Sequence, residues 1–217
     1  MDEDLILAQL ISSRLCHDLV GPAGGVAAGL ELFREQGAAD DPNFEDKALD
    51  LAARSAGEVT RRLAFYRAAF GYGAGNDGTV ALAAVRENAL QMFTGDKVTI
   101  AWPENAAREL PAAGGKLLLI LVLIAADALL RGGEIAVGSA ELEEGTGVAI
   151  AINGTGAEIK PEIRAALEGT VSLDELSAHS APGYLARRLA QKIGAVVEIA
   201  DGAGGPQIAV LLPLPLI

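Results

Sequence analysis

The segment Arg14-Leu15-Cys16-His17-Asp18-Leu19-Val20-Gly21-Pro22 carries the residue pair with the most capacity for chemistry in this 217-residue chain, a histidine followed directly by an aspartate. A carboxylate beside an imidazole can hold the tautomer that leaves one ring nitrogen free to attack, and can accept a released proton. His17 lies two residues from both Leu15 and Leu19, roughly 200° round a helix from that apolar stripe, so it should face solvent. Leu10, Ser13, Arg14, Val20, Gly21 and Gly24 would share its helix surface. Gly21, Gly24 and Gly25 each cost about 1 kcal/mol in a helix relative to alanine; small residues there would let another protein's backbone come close to the imidazole. Pro22 has no N–H to give the Asp18 carbonyl, which predicts a kink. An exposed histidine by itself is ordinarily polar surface. The company of Asp18, Pro22 and the glycines singles this one out.

Other candidates carry less. His179, in Ser177-Ala178-His179-Ser180, has no carboxylate beside it and reads as a surface-loop histidine. Cys16 points about 100° away from His17 on the helix and reads as a small packing residue. Ser12 and Ser13 form no nucleophile elbow, and Glu143-Glu144 reads as a solvated turn. One cysteine and two histidines exclude an internal disulfide and a thiolate or imidazole zinc cluster. With 17 Lys and Arg against 29 Asp and Glu, the net charge of −12 argues against nucleic acid or an acidic membrane as the main partner. The apolar run Leu117 to Ala126 ends at Asp127, well short of the roughly 20 residues a membrane span needs. The acidic start Met1-Asp2-Glu3-Asp4 has the wrong charge for a secretory signal, so a cytoplasmic protein is expected.

The elements that position His17 follow from periodicity. Leu7, Ile11, Leu15, Leu19, Ala23, Val26, Leu30 and Phe33 recur every three or four residues and predict a helix from about Asp4 to Glu35. A second helix follows Asp40-Asp41-Pro42, which supplies a cap and an early proline; its stripe is Ala48, Leu51, Ser55, Val59, Leu63, Tyr66 and Phe70. The two make an antiparallel hairpin, and two copies would complete a four-helix bundle, which predicts a homodimer. Composition shifts near residue 71, and the glycine-rich stretch Gly71 to Gly78 reads as a linker. Two domains are expected, 1–73 a dimerisation hairpin that carries His17 and 74–217 an α/β domain. In the second, helices are expected at Thr79 to Phe93, Gly115 to Leu130, Pro161 to Leu167 and Pro182 to Ile193. Strands are expected at Lys97 to Trp102, Glu134 to Glu141, Gly147 to Asn153, Ala195 to Ala200 and Gln207 to Leu212. The class is α+β, with a mixed sheet covered on one face by helices.

The segment around His17 resembles the phosphoacceptor box of two-component histidine kinases, where histidine is followed by an acidic residue, an apolar one and, five places on, proline. The element order after the linker is similar to that of GHKL-type ATP-binding domains. The junction Arg131-Gly132-Gly133-Glu134-Ile135 matches such domains, but Ile120 and Ile124 stand where two asparagines would be, and isoleucine cannot ligate magnesium. The next box reads Ile152-Asn153-Gly154-Thr155-Gly156, without its adenine-binding aspartate; in the last, Ser180-Ala181-Pro182-Gly183-Tyr184-Leu185, only Gly183 matches. An acceptor hairpin joined to a nucleotide domain without its chemistry resembles the ChpT-like histidine phosphotransferases, over nearly the whole chain and most closely at Ser13 to Gly25 and Arg187 to Ile199. The resemblance implies a homodimeric protein whose His17 accepts phosphoryl from a receiver-domain aspartate of a hybrid kinase and passes it to a response-regulator aspartate. Asp18 would orient or deprotonate the imidazole. Receiver domains would dock over Leu10, Ser13, Arg14, Val20, Gly21 and Gly24, with Arg14 helping to compensate phosphoryl charge. No nucleotide or other cofactor would be bound by this chain, and Mg2+ would sit in the partner receiver. The alternatives are a pseudo-kinase module that sequesters a regulator without catalysis, and an active ATP-dependent histidine kinase.

Overall fold

The computed structural model describes residues 3–34, 43–71, 78–104, 108–202 and 204–214. The helix carrying His17, α1, spans Glu3–Arg34 and stays one element through Pro22; α2 spans Phe44–Phe70. The Asp40-Asp41-Pro42 cap, the stretch 72–77 of the linker and the boundary between residues 73 and 74 lie outside the described residues. Asp18 meets Tyr66, Gly25 meets Ser55 and Gly29 meets Ala48 and Ala52, so α1 and α2 run antiparallel. A Cβ on Gly29 would lie 2.7 Å from the Ala48 carbonyl oxygen, and one on Gly25 would lie 2.4 Å from Ser55 Oγ. Glycine at these two positions therefore serves hairpin packing, whereas at Gly21 and Gly24 nothing stands within 4 Å.

After the hairpin, Thr79–Ala81 forms a short strand β1 and not the start of a helix, because it pairs antiparallel with β3, Glu109–Pro111, a strand the periodicity does not show. Between them lie α3, Leu82–Met92, and β2, Val98–Ala101. The apolar run becomes α4, Ala112–Asp127. A long hairpin follows, β4 Gly133–Leu142 and β5 Gly145–Asn153, with Glu143 and Glu144 as its turn. Then come α5 Pro161–Glu168, a turn of 3-10 helix at Leu173–Glu175, α6 Ala181–Ile193, and the closing hairpin β6 Val196–Gly202 and β7 Gly205–Pro213.

The main sheet has the order β2-β4-β5-β7-β6, with β2 and β4 parallel and the other pairs antiparallel. Alternation decides its faces. Ile135, Val137, Val148, Ile150, Ile152, Ile208, Val210 and Leu212 are buried against the helices, while Gly138, Ala140, Ala149 and Ala209 are exposed on the other side. The architecture is α+β, N-terminal helices followed by a mixed sheet with helices on one face. Phe65, Tyr66 and Ala69 of α2 are buried in the same core as α3, α4 and the sheet, so the base of the hairpin is anchored in the second half of the chain. Among the described residues, no helix is long and apolar enough to cross a membrane.

The glycines of the kinase-like boxes have local structural reasons. A Cβ on Gly132 would lie 2.7 Å from the Lys97 carbonyl oxygen, one on Gly133 2.3 Å from that of Asn153, and one on Gly154 2.5 Å from Leu129. Gly132 and Gly133 also take positive φ, 84° and 148°, which side chains rarely adopt. Gly183 lets α6 approach α5, 3.0 Å from the Ile163 carbonyl oxygen to a would-be Cβ. Ile120 and Ile124 are 0% and 1% exposed and fill the core beneath the sheet, each burial contributing about 1.5–3 kcal/mol.

Candidate functional site

The α1 helix turns His17 outward, its side chain 75% exposed, and turns the Asp18 that follows it inward. Asp18 is 11% exposed and accepts from His17 Nδ1, 3.3 Å from Oδ1. With its Nδ1 proton facing a carboxylate, the His17 ring keeps its lone pair on Nε2. The other Asp18 oxygen, Oδ2, accepts from Tyr66 Oη of α2 at 2.8 Å and from Arg14 Nε at 2.7 Å.

Arg14 is the node of the site. Its side chain is 6% exposed, and besides Asp18 it donates through Nη2 to Asp127 Oδ1 at 2.7 Å and through Nη1 to His179 Nδ1 at 2.9 Å. Asp127 is the last residue of α4, and His179 lies in the loop before α6. One guanidinium thus ties α1 to two elements of the C-terminal half. The rings of His17 and His179 stand edge to face, centroids 6.0 Å apart at 74°.

Burial and charge set the ionisation of this network. Burial opposes the charge on Arg14, but the hydrogen bonds and charges of Asp127 and then Asp18 outweigh it and lift Arg14 above its already high ordinary value. Burial would raise Asp18, yet the Arg14 hydrogen bond and charge, with hydrogen bonds from Tyr66 and His17, hold it below the usual carboxylate range. Burial, followed by the Asp18 charge and hydrogen bond, pushes the Tyr66 phenol up. A carboxylate held this firmly ionised is a weak base. It suits orienting the His17 ring and offsetting positive charge on it better than removing its proton.

Ser13, Val20, Gly21 and Gly24 lie exposed around His17, Val20 at 70%. Arg14 does not belong to that surface: the expectation that it faces a docking partner is corrected by its burial, which its three acceptors compensate. Leu10 is half-buried, packed with Leu7 against Ala166, Leu176 and Tyr184, so only part of it is open to a partner. Cys16, expected as a packing residue, is exposed. His179 is an exposed loop residue as expected, but it is bonded into the site. Asp127, His179 and Tyr66 do not stand out as site residues in the sequence. Asp127 offered one signal, a carboxylate closing an apolar helix and needing a counter-charge; the Tyr66 phenol, inside an apolar stripe, offered another. Among the described residues, no three His, Cys, Asp or Glu side chains are arranged to hold a metal.

Comparison with known proteins places these features in context. Residues 82–204 match the family model described as the histidine phosphotransferase C-terminal domain. Over 196 residues the chain is 33% identical to the protein phosphotransferase ChpT of Brucella abortus (strain 2308), spanning 90% of each. The solved structure of a bacterial phosphotransferase superposes with a TM-score of 0.82 at 30% identity, covering 95% of this chain and 96% of that one. The histidine kinase AdeS of Acinetobacter baumannii gives a TM-score of 0.45 at 11% identity, over 92% and 98% of the two chains.

Proposed function

The chain belongs to the histidine phosphotransferase family, and on that premise we propose that His17 is its phosphoacceptor in a phosphorelay, loaded from a receiver-domain aspartate of a hybrid kinase and discharged to a response-regulator aspartate. The observation that carries this is the exposed His17 ring, anchored through Nδ1 to a largely buried, ionised Asp18, which leaves Nε2 for the solvent side. In the loading step the Nε2 lone pair attacks phosphorus. An N–P bond forms as the bond from phosphorus to the receiver's carboxylate oxygen breaks, which leaves a free carboxylate on the receiver. The ring becomes an imidazolium that keeps its Nδ1 proton, and the Asp18 charge beside it offsets the gain. Discharge is the reverse onto another receiver. The magnesium ion that neutralises phosphoryl oxygens belongs to the receiver's acidic pocket in this reading.

Receivers dock over Ser13, Val20, Gly21, Gly24 and the open part of Leu10, where the two glycines leave backbone accessible. The reading without ATP use is supported by Ile120 and Ile124, whose burial takes them out of reach of a nucleotide. A homodimer is supported by two seams spaced alternately four and three residues apart. Cys16, Leu19, Ala23, Val26, Leu30 and Phe33 on α1 are exposed or half-buried, and Leu49, Ala53, Ala56, Thr60 and Leu63 on α2 are exposed. That spacing suits knobs-into-holes packing against a second hairpin, and the α1 seam lies about 100–180° round the helix from His17, leaving the ring free. A cytoplasmic location fits this relay role.

The test is uptake of acid-labile phosphate by the full chain from a phosphorylated receiver domain, wild type against His17→Ala, with ATP and Mg2+ as a parallel donor. Label on wild type from the receiver, and none on the variant, is the expected result. Label that persists in His17→Ala overturns the assignment; binding of receivers without label favours a sequestering module, and label from ATP favours a kinase.

A further inference from the structure

His179 contributes nothing to the reading above, yet the same buried arginine that helps fix Asp18 also fixes this ring. Arginine nitrogens only donate, so the 2.9 Å contact from Arg14 Nη1 makes His179 Nδ1 an acceptor. The proton of the neutral ring is then on Nε2. Nδ1 and Nε2 lie on nearly opposite edges of an imidazole. With Nδ1 directed into the buried guanidinium, Nε2–H is directed away from it, to the exposed side.

The two histidines are therefore anchored in the same way with opposite result. Both are held by Nδ1 to the Arg14–Asp18 network. His17 gives its Nδ1 proton to a carboxylate and keeps a lone pair on Nε2; His179 takes a proton from a guanidinium at Nδ1 and keeps N–H on Nε2. Their centroids are 6.0 Å apart, so a group built outward on one ring grows along the flank of the other. On the premise that His17 carries phosphoryl, we infer that His179 donates its Nε2–H to an oxygen of that group, supplying from the C-terminal half a hydrogen bond to charge that α1 alone cannot reach.

Its chemistry suits the step. Phosphoryl transfer gains chiefly from donors already aimed at the phosphoryl oxygens. Arg14 is spent on Asp18, Asp127 and His179, so within the site His179 passes its orientation to the outside as one oriented N–H. The ring belongs to the C-terminal half and is oriented by Arg14 of α1, which gives the domain that resembles an ATPase a part in transfer.

Three forms of the full chain test this: wild type, His179→Leu and His179→Gln, whose side-chain amide N–H reaches about as far as Nε2–H. With phosphorylated receiver at saturation, the loading rate of His17 is expected to fall about tenfold in His179→Leu, below the 10²–10³ of a fully enclosed donor because this site is open to water. The receiver Kd should be unchanged, and His179→Gln should recover most of the rate. Separately, phosphoramidate, which phosphorylates imidazole directly, is added to 15N-labelled protein. The His179 Nε2 resonance should carry its proton before loading and shift on loading in wild type, but not in His17→Ala. Wild-type rates in His179→Leu, equal losses in both variants accompanied by weaker receiver binding, or an unmoved Nε2 resonance would each overturn the inference while His17 still takes label. Failure of His17 itself to take label from either donor would instead remove the reading on which it rests.

Discussion

Replacing Arg14 by methionine, of similar length and without charge, is the most informative perturbation of the network. Arg14 is 6% exposed and makes two ion pairs of 2.7 Å, to Asp18 at 11% exposure and Asp127 at 24%. Breaking a buried pair by removing one partner costs about 3–5 kcal/mol. Water can reach Asp127 in part, and Asp18 retains Tyr66, so the expected loss lies near the low end, about 3 kcal/mol. For a chain of this size that is a fall in Tm of roughly 6–12 °C. Equilibrium urea unfolding at a series of pH values measures it and identifies its cause. The folded-state pKa of Asp18 is depressed below its unfolded value. The stability this provides is present above the ordinary carboxylate range and is lost as pH falls through the folded value. Arg14→Met lacks that contribution, so its deficit should be full at pH 7 and narrow steadily below about pH 4. In combination with Asp127→Asn the losses should be non-additive by about 1 kcal/mol or more. A deficit below about 1 kcal/mol at pH 7, or one that does not change with pH, refutes the claim that this arginine holds the two halves together electrostatically.

Tyr66→Phe removes a hydrogen bond to an ionised partner and should cost about 1.5–3 kcal/mol at pH 7 by the same assay. Because the folded phenol is raised above its unfolded value, the stability it contributes is complete below about pH 10 and is lost as pH rises further; the Phe variant should lack this alkaline loss. Gly21→Ala and Gly24→Ala, with open space around each would-be Cβ, should each raise stability by up to about 1 kcal/mol and weaken receiver binding in a titration. Gly29→Ala, which meets the Ala48 carbonyl oxygen and the Ala52 amide, should lower stability by about 1–3 kcal/mol in thermal melts. Leu30→Glu with Leu63→Glu should shift sedimentation from dimer to monomer while the monomer's circular dichroism is kept; an unchanged sedimentation coefficient would remove the proposed bundle.

Most of the elements are readable from periodicity, because the two long helices and the alternating strands bury continuous stripes. Thr79–Ala81 reads as helix because three residues leading into a helix carry too little pattern to compete with it; the pairing with Glu109–Pro111 that makes it a strand is a contact some thirty residues away. Within the site, the pair His17 and Asp18 is visible since its chemistry is local. The destination of Arg14 is not. Spacing along α1 puts Arg14 one turn from His17, and whether that face meets water or another part of the chain depends on docking of the C-terminal half, which no local pattern encodes. Gly132, Gly133 and Gly154 show the converse: glycines that read as parts of a nucleotide motif are each required here by a close approach of backbone or side chain.

Arg14 is made early and its partners late. The residues it binds follow it by 113 positions at Asp127 and 165 at His179, which at about 5–20 residues per second separates Arg14 from His179 by roughly ten to thirty seconds of translation. For the first two thirds of that interval the arginine has only Asp18 to neutralise it, and throughout it the second ring does not yet exist. The site therefore completes itself only after His179 has been made, so a product that stops short of it displays His17 without that part of its network. If His17 is the acceptor proposed above, its surroundings are assembled in the order of synthesis, and chains that stop before His179 would make poor carriers of signal.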